Sequence, residues 1–199
     1  MMPTALTHIR LHSWLAASVT TVAVALSVPP LRSIIEQSMA WHMVVQMPLL
    51  VLGGWLASRA LPAVRALSRV AAFNQFGLTG FILAQAMTAY WMLPSAIDRA
   101  VVMPIFDVLK LVTLVVSGLL LANAFRRAPT ALQLFFIGYW VSMMAWLGIY
   151  LATTDLRLCN AYSLQSQVST GWGLLALGVA TGAAWLGKAW HTSIQIATV

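Results

Sequence analysis

Arginines gather in every second gap between six long apolar segments, and no other feature constrains this chain as strongly. About 20 consecutive apolar residues are what a helix needs to cross a bilayer. Candidate spans run over 14–31, 41–61, 70–94, 101–125, 132–152 and 168–190 and leave no room for a separate soluble domain. Only 8% of residues are charged and mean hydropathy is +0.87, which is more apolar surface than a soluble core can use. The segments end at Pro29, Pro62, Pro94 and Pro129 or at charged residues, which suits helices and not the alternating pattern of a lipid-facing barrel strand. The expected fold is a single all-α domain over 1–199, a polytopic membrane helical bundle of about six transmembrane helices.

Charge gives the orientation. The connection with Arg59, Arg65 and Arg69 holds no acid, and neither does the one with Arg126 and Arg127. The intervening loops balance Arg32 with Glu36, Asp98 with Arg99, and Asp155 with Arg157. Because positive residues mark the cytoplasmic side, the first set is inside, together with Arg10 and Lys188, and both termini are cytoplasmic. The net charge of +7 thus follows from sidedness, and no nucleic-acid partner is expected. The first segment has the small residues Ala25 and Ser27 near its end, as a signal peptide would, but an uncleaved helix fits the even number of spans better. A single cysteine, Cys159, excludes an internal disulfide. No phosphate loop, GxSxG elbow, HExxH or paired-cysteine motif is present, so no enzyme activity is expected.

Polar groups inside a bilayer are costly and mark candidate sites. Helical spacing puts Met39, His42, Met43 and Gln46 on one side of the second span. Thioether and imidazole ligands suit Cu(I); the alternative is a hydrogen-bonded interface histidine among methionines that fill packing gaps. The topology places Met92, Asp98, Met103 and Cys159 at the same membrane face. Asp98 is expected either to orient a ligand or to cap the following helix. Asp107 and Lys110 are three residues apart, where they can form an ion pair or begin an ion or proton path. No haem is expected, because His8, His12 and His191 lie at the opposite, cytoplasmic ends.

These stretches, taken in order, resemble the CtaG family of cytochrome c oxidase assembly factors, multi-span membrane proteins linked to copper delivery. The family's His-Met-x-x-His-Met resembles His42-Met43-Val44-Val45-Gln46-Met47, with Gln46 in place of the second histidine. Its Leu-Trp-His-Leu-Pro, short spacer and aspartate resemble Tyr90-Trp91-Met92-Leu93-Pro94 through Asp98, with Met92 for histidine. Its proline, His-x-x-Glu-His and Ser-Gly-Leu-Leu resemble Pro104, Asp107 to Leu111, and Ser117 to Leu120. Its Asp-Gln-Gln and following glycine resemble Ser166-Gln167-Val168 and Gly171. The frame is similar while most family histidines are replaced.

The resemblance implies a bacterial inner-membrane, multi-pass protein that holds or delivers Cu(I) at the outer, periplasmic face for a respiratory oxidase. His42, Met43, Met92 and Met39 would be ligands, and Asp98, Gln46, Asp107, Lys110 and Gln167 would be supporting polar groups. Its partners would be the lipid bilayer, the oxidase or another membrane complex, and a periplasmic copper chaperone. The replaced histidines leave two alternatives: an accessory or structural subunit that binds no metal, and a copper or small-solute transporter using Asp107 and Lys110.

Overall fold

A computed structural model describes residues 14–15, 18–19, 21–28, 30–60 and 74–197, and among them every regular element is helical. Arg10, Arg65, Arg69, His8, His12 and the start of the expected third span lie outside the described residues, as does the side chain of Arg59. The elements are α1 (Leu31–Ile35), a π-helical turn (Trp41–Gln46), α2 (Met47–Ala60), a 3₁₀ turn (Gln75–Gly77), α3 (Leu78–Trp91), α4 (Pro94–Val102), α5 (Pro104–Arg127), α6 (Thr130–Thr153) and α7 (Leu164–Ala197).

Proline sets most boundaries. Pro94 and Pro104 occupy the first turns of α4 and α5, where a missing N–H costs nothing, and the residues before them, Leu93 and Met103, are extended as a following proline requires. Pro94 therefore ends the expected third span early: α4 departs from the helix before it by 71° and replaces the expected loop. Pro48 has the opposite setting, inside a helix, where its ring crowds the preceding turn and it offers no N–H. The backbone widens just before it into the π turn, in which the Met47 amide reaches back to the carbonyl of His42. Asp107 in the first turn of α5 and Arg126 and Arg127 in its last match the helix dipole.

Three helical stretches are long and apolar enough to cross a membrane, Trp41–Ser58, Pro104–Arg127 and Thr130–Thr153, or four if the bent pair Gln75–Trp91 and Pro94–Val102 is one span. α7 is not among them. At 34 residues it reaches roughly 50 Å, but Ser166, Ser169, Thr170, Gly171 and Gly173 dilute the apolar character of its first half.

Small residues allow the close helix crossings. A Cβ at Gly54 of α2 would collide with the Val115 carbonyl of α5, and one at Gly118 of α5 would collide with the Val51 carbonyl of α2. Gly148 and Gly171 do the same for α6 and α7, each facing the other's carbonyl. Gly77 is held for two reasons: its φ of +76 is left-handed, and an added Cβ would lie 2.5 Å from the Ala124 carbonyl. One end of the bundle is then filled by rings, with Phe81 stacked on Phe136 at 4.5 Å and edge-on to Phe125 at 4.9 Å, and Trp55 at 5.3 Å from Phe125. The other end holds the buried ionisable groups.

Candidate functional site

α1, the π turn, the start of α5 and the α6–α7 connection meet at this second end, and each contributes one or two polar side chains. Glu36 follows α1 and accepts from Arg32 Nε at 2.8 Å, one helical turn away. Arg32 reaches Asp107 Oδ2 with a terminal nitrogen at 3.2 Å and donates with the other to the carbonyls of Ala100 (3.2 Å) and Val101 (3.3 Å) at the end of α4. All three guanidinium nitrogens are engaged, a fork that lysine could not reproduce. Burial opposes the Arg32 charge, but the Glu36 hydrogen bond and the Asp107 and Glu36 charges outweigh it, and the pKa is raised.

Asp107 Oδ1 lies 2.7 Å from Lys110 Nζ, so the expected ion pair is formed. At that distance the pair is a charge-assisted contact between an ammonium and a carboxylate. Lys110 Nζ also stands 3.1 Å from His42 Nε2, and His42 Nδ1 stands 3.1 Å from the Tyr162 hydroxyl. His42 and Lys110 are both 0% exposed. An ammonium has donors only, so Nε2 accepts from Lys110, the ring proton sits on Nδ1, and Nδ1–H donates to Tyr162. Burial, and then the Glu36 charge, push the Tyr162 hydroxyl pKa well up, which keeps it protonated.

The result is an alternating ladder, Glu36, Arg32, Asp107, Lys110, His42, Tyr162. With two cations and two anions its formal charge is zero. Lys110 and Asp107 are buried while Arg32 and Glu36 are partly exposed; buried charges persist when each has a partner, and removing Lys110 or Asp107 leaves the balance of the cluster broken.

The α6–α7 connection that carries Tyr162 is tied down on several sides. Asp98 accepts from the amides of Asn160 (3.1 Å) and Ala161 (3.3 Å). This corrects its expected capping role: Asp98 lies inside α4, whose start is already set by Pro94, and it binds a distant loop instead. Gln167 clasps the same connection, accepting from the Leu158 amide and donating to the Leu156 carbonyl. Arg157 donates to the carbonyls of Tyr162 and Asn160. Cys159, in the same connection, is buried, and burial, followed by the Asp98 charge, pushes its thiol pKa up to about 11.

Met39, Met43 and Met92 belong to one buried cluster with Met47, Met144, Trp91, Tyr162 and Cys159. The expected sulfur residues thus share the main core, but His42 offers them no free lone pair, since Nε2 faces the Lys110 ammonium and Nδ1 faces Tyr162. Gln46 sits one turn along from His42 and donates to Ser27 Oγ at 2.9 Å and to the Leu26 carbonyl, while its Oε1 is buried without a hydrogen-bond partner. Among the described residues no group of three or more histidine, cysteine, aspartate or glutamate side chains is placed to hold a metal ion. His191 lies far along α7, as expected for a residue outside the site. Beside the ladder is an open groove of about 290 Å³ lined by Gln37, Ser38, Ser163, Gln165, Ser166 and Ser169, with no ionisable group.

Arg32, Glu36 and Tyr162 are the members that sequence reasoning did not select. Arg32 and Glu36 had a signal in their i,i+4 spacing, which reads equally as a balanced loop. Tyr162 had none, because its partner is 120 residues away. No protein-family model, curated protein or solved structure matches this chain.

Proposed function

We propose that this chain is a CtaG-like accessory or structural subunit of a membrane complex, a respiratory oxidase being the partner the resemblance implies. In this reading it is a six-span protein of the bacterial inner membrane with both termini cytoplasmic. The supporting observation is that His42, the one family-like histidine retained in the bundle, has both ring nitrogens hydrogen-bonded inside a charge-balanced cluster. A histidine used in this way joins helices and does not present a ligand. Purification from native membranes should recover the chain in stable, stoichiometric association with other membrane subunits, and Cu(I) competition titration of the purified protein should show no tight equivalent. Isolation of the wild type as a free protein would sink the subunit reading.

A second reading is the Cu(I)-holding assembly factor, with the sulfurs of Met39, Met43 and Met92, joined by Cys159, as ligands in place of the imidazole. It is favoured by their shared buried cluster, and one tight Cu(I) equivalent lost in Met43→Leu would establish it. The transporter reading draws on Asp107 and Lys110. It has less support, because the charges of the ladder stop short of the tight α2–α5 crossing at Gly54 and Gly118.

A further inference from the structure

We infer that Lys110 is a resident cation: its ammonium fills the position of a metal ion between Asp107 and His42 and closes a carboxylate–imidazole site to soluble cations. The inference deepens the reading that His42 handles no metal, and rests on it for the wild type only.

Both ligand-type groups converge on one point. Lys110 Nζ is 2.7 Å from Asp107 Oδ1 and 3.1 Å from His42 Nε2, with no exposed surface. Each ligand is also held from behind in the way metal sites hold theirs. The far ring nitrogen of His42 is tied to Tyr162, which holds the ring's orientation, and the far oxygen of Asp107 is held by Arg32. A structural histidine in an apolar interface needs a single partner; here two elements aim one imidazole lone pair and one carboxylate oxygen at a single buried cation.

Charge explains why the lysine excludes a competitor. With Lys110 present, Arg32, Glu36, Asp107 and Lys110 sum to zero, and an added metal ion would stand beside an ammonium in a buried setting. With alanine at this position the sum is −1, and with glutamate it is −2, which a divalent ion would neutralise. One carboxylate and one imidazole suit a borderline divalent ion such as Zn²⁺ or Co²⁺.

The test is a Co²⁺ titration, read by visible absorption, of the detergent-purified wild type, Lys110→Ala, Lys110→Glu and Lys110→Glu/His42→Gln. The wild type should show no band, Lys110→Ala one equivalent, and Lys110→Glu one equivalent bound at least tenfold tighter, lost when His42 is also replaced. If Lys110→Glu is unstable without metal, Zn²⁺ should restore its folded fraction, read by protection of Cys159 from a maleimide. Co²⁺ bound by the wild type through His42, no gain of binding in either single variant, or an unfolded Lys110→Glu that Zn²⁺ does not restore would each overturn the inference. Cu(I) held by the sulfur cluster of the wild type would sink the accessory-subunit reading and leave this result unchanged.

Discussion

The two ends of the bundle solve the same packing problem with opposite chemistry. At one end Phe81, Phe125, Phe136 and Trp55 fill the space between α2, α3, α5 and α6, and glutamines clip the helices: Gln85 donates to the Phe136 carbonyl and Gln133 to those of Phe125 and Ala128. At the other end six polar side chains form a ladder in which every rung depends on the next. Ring contacts are many and individually small, so the aromatic end should degrade gradually. Buried charges are few and each cancels a neighbour, so the ionic end should fail as a unit.

The sharpest way to break that contrast is to remove one charge. Lys110→Met leaves Asp107 buried beside Arg32 alone and should lower stability in detergent by about 3–5 kcal/mol. The double variant Asp107→Leu/Lys110→Met removes a cation and an anion together and should recover most of that loss, because Arg32 and Glu36 remain balanced. Thermal unfolding followed by thiol labelling of Cys159 reads both. Equal losses in the single and double variants would mean that the ladder is not a coupled unit.

Between the ends, Gly118→Ala forces α2 and α5 apart at the Val51 carbonyl and should cost about 1–3 kcal/mol, since overpacking at a backbone contact has little room to relax. It should loosen both ends alike, which hydrogen exchange on either side of the crossing would report. At the aromatic end, Phe81→Leu keeps most of the volume and loses the ring stacking on Phe136, an expected cost of about 1–2 kcal/mol. A larger loss than Lys110→Met would reverse the comparison.

The smallest expected effect concerns the rim of the ionic end. A thiol whose pKa is raised from 9.0 to about 11 carries about 100-fold less thiolate at neutral pH than an unperturbed one. Maleimide labelling of Cys159 should therefore stay slow at pH 7 to 9 and accelerate toward pH 11. The folded thiol holds its proton more tightly than the unfolded one, so this group costs no stability below pH 9 and removes stability as pH rises from 9 toward 11. Asp98→Asn removes a negative charge near the thiol and weakens the hold on Asn160 and Ala161, and should speed labelling severalfold with little change in unfolding temperature. Unchanged labelling would show that the α6–α7 connection does not need Asp98.

Much of the helical organisation was legible. Long apolar runs and their prolines mark α5 and α6 closely, because helix length and proline chemistry are local properties. The bend at Pro94 was less so: proline announces an ending, but whether the chain then forms a loop or the helix α4 depends on what receives the Asp98 and Arg99 side. The Asp107–Lys110 pair was readable from i,i+3 spacing. The π turn was not, since the same residues at Trp41–Gln46 give a regular helical pattern on paper, and the widening comes from Pro48 and the packing around His42.

By itself the sequence determined that the regular elements are helical, where α5 and α6 begin and end, and that its acids and bases are few enough to need partners. The tertiary structure alone decided who those partners are. Arg32 meets α5 and the end of α4, and Tyr162 meets His42, across separations of 68 and 120 residues. The physical reason is that pairing a buried charge is a demand made by burial, and burial exists only once distant helices have closed around the group.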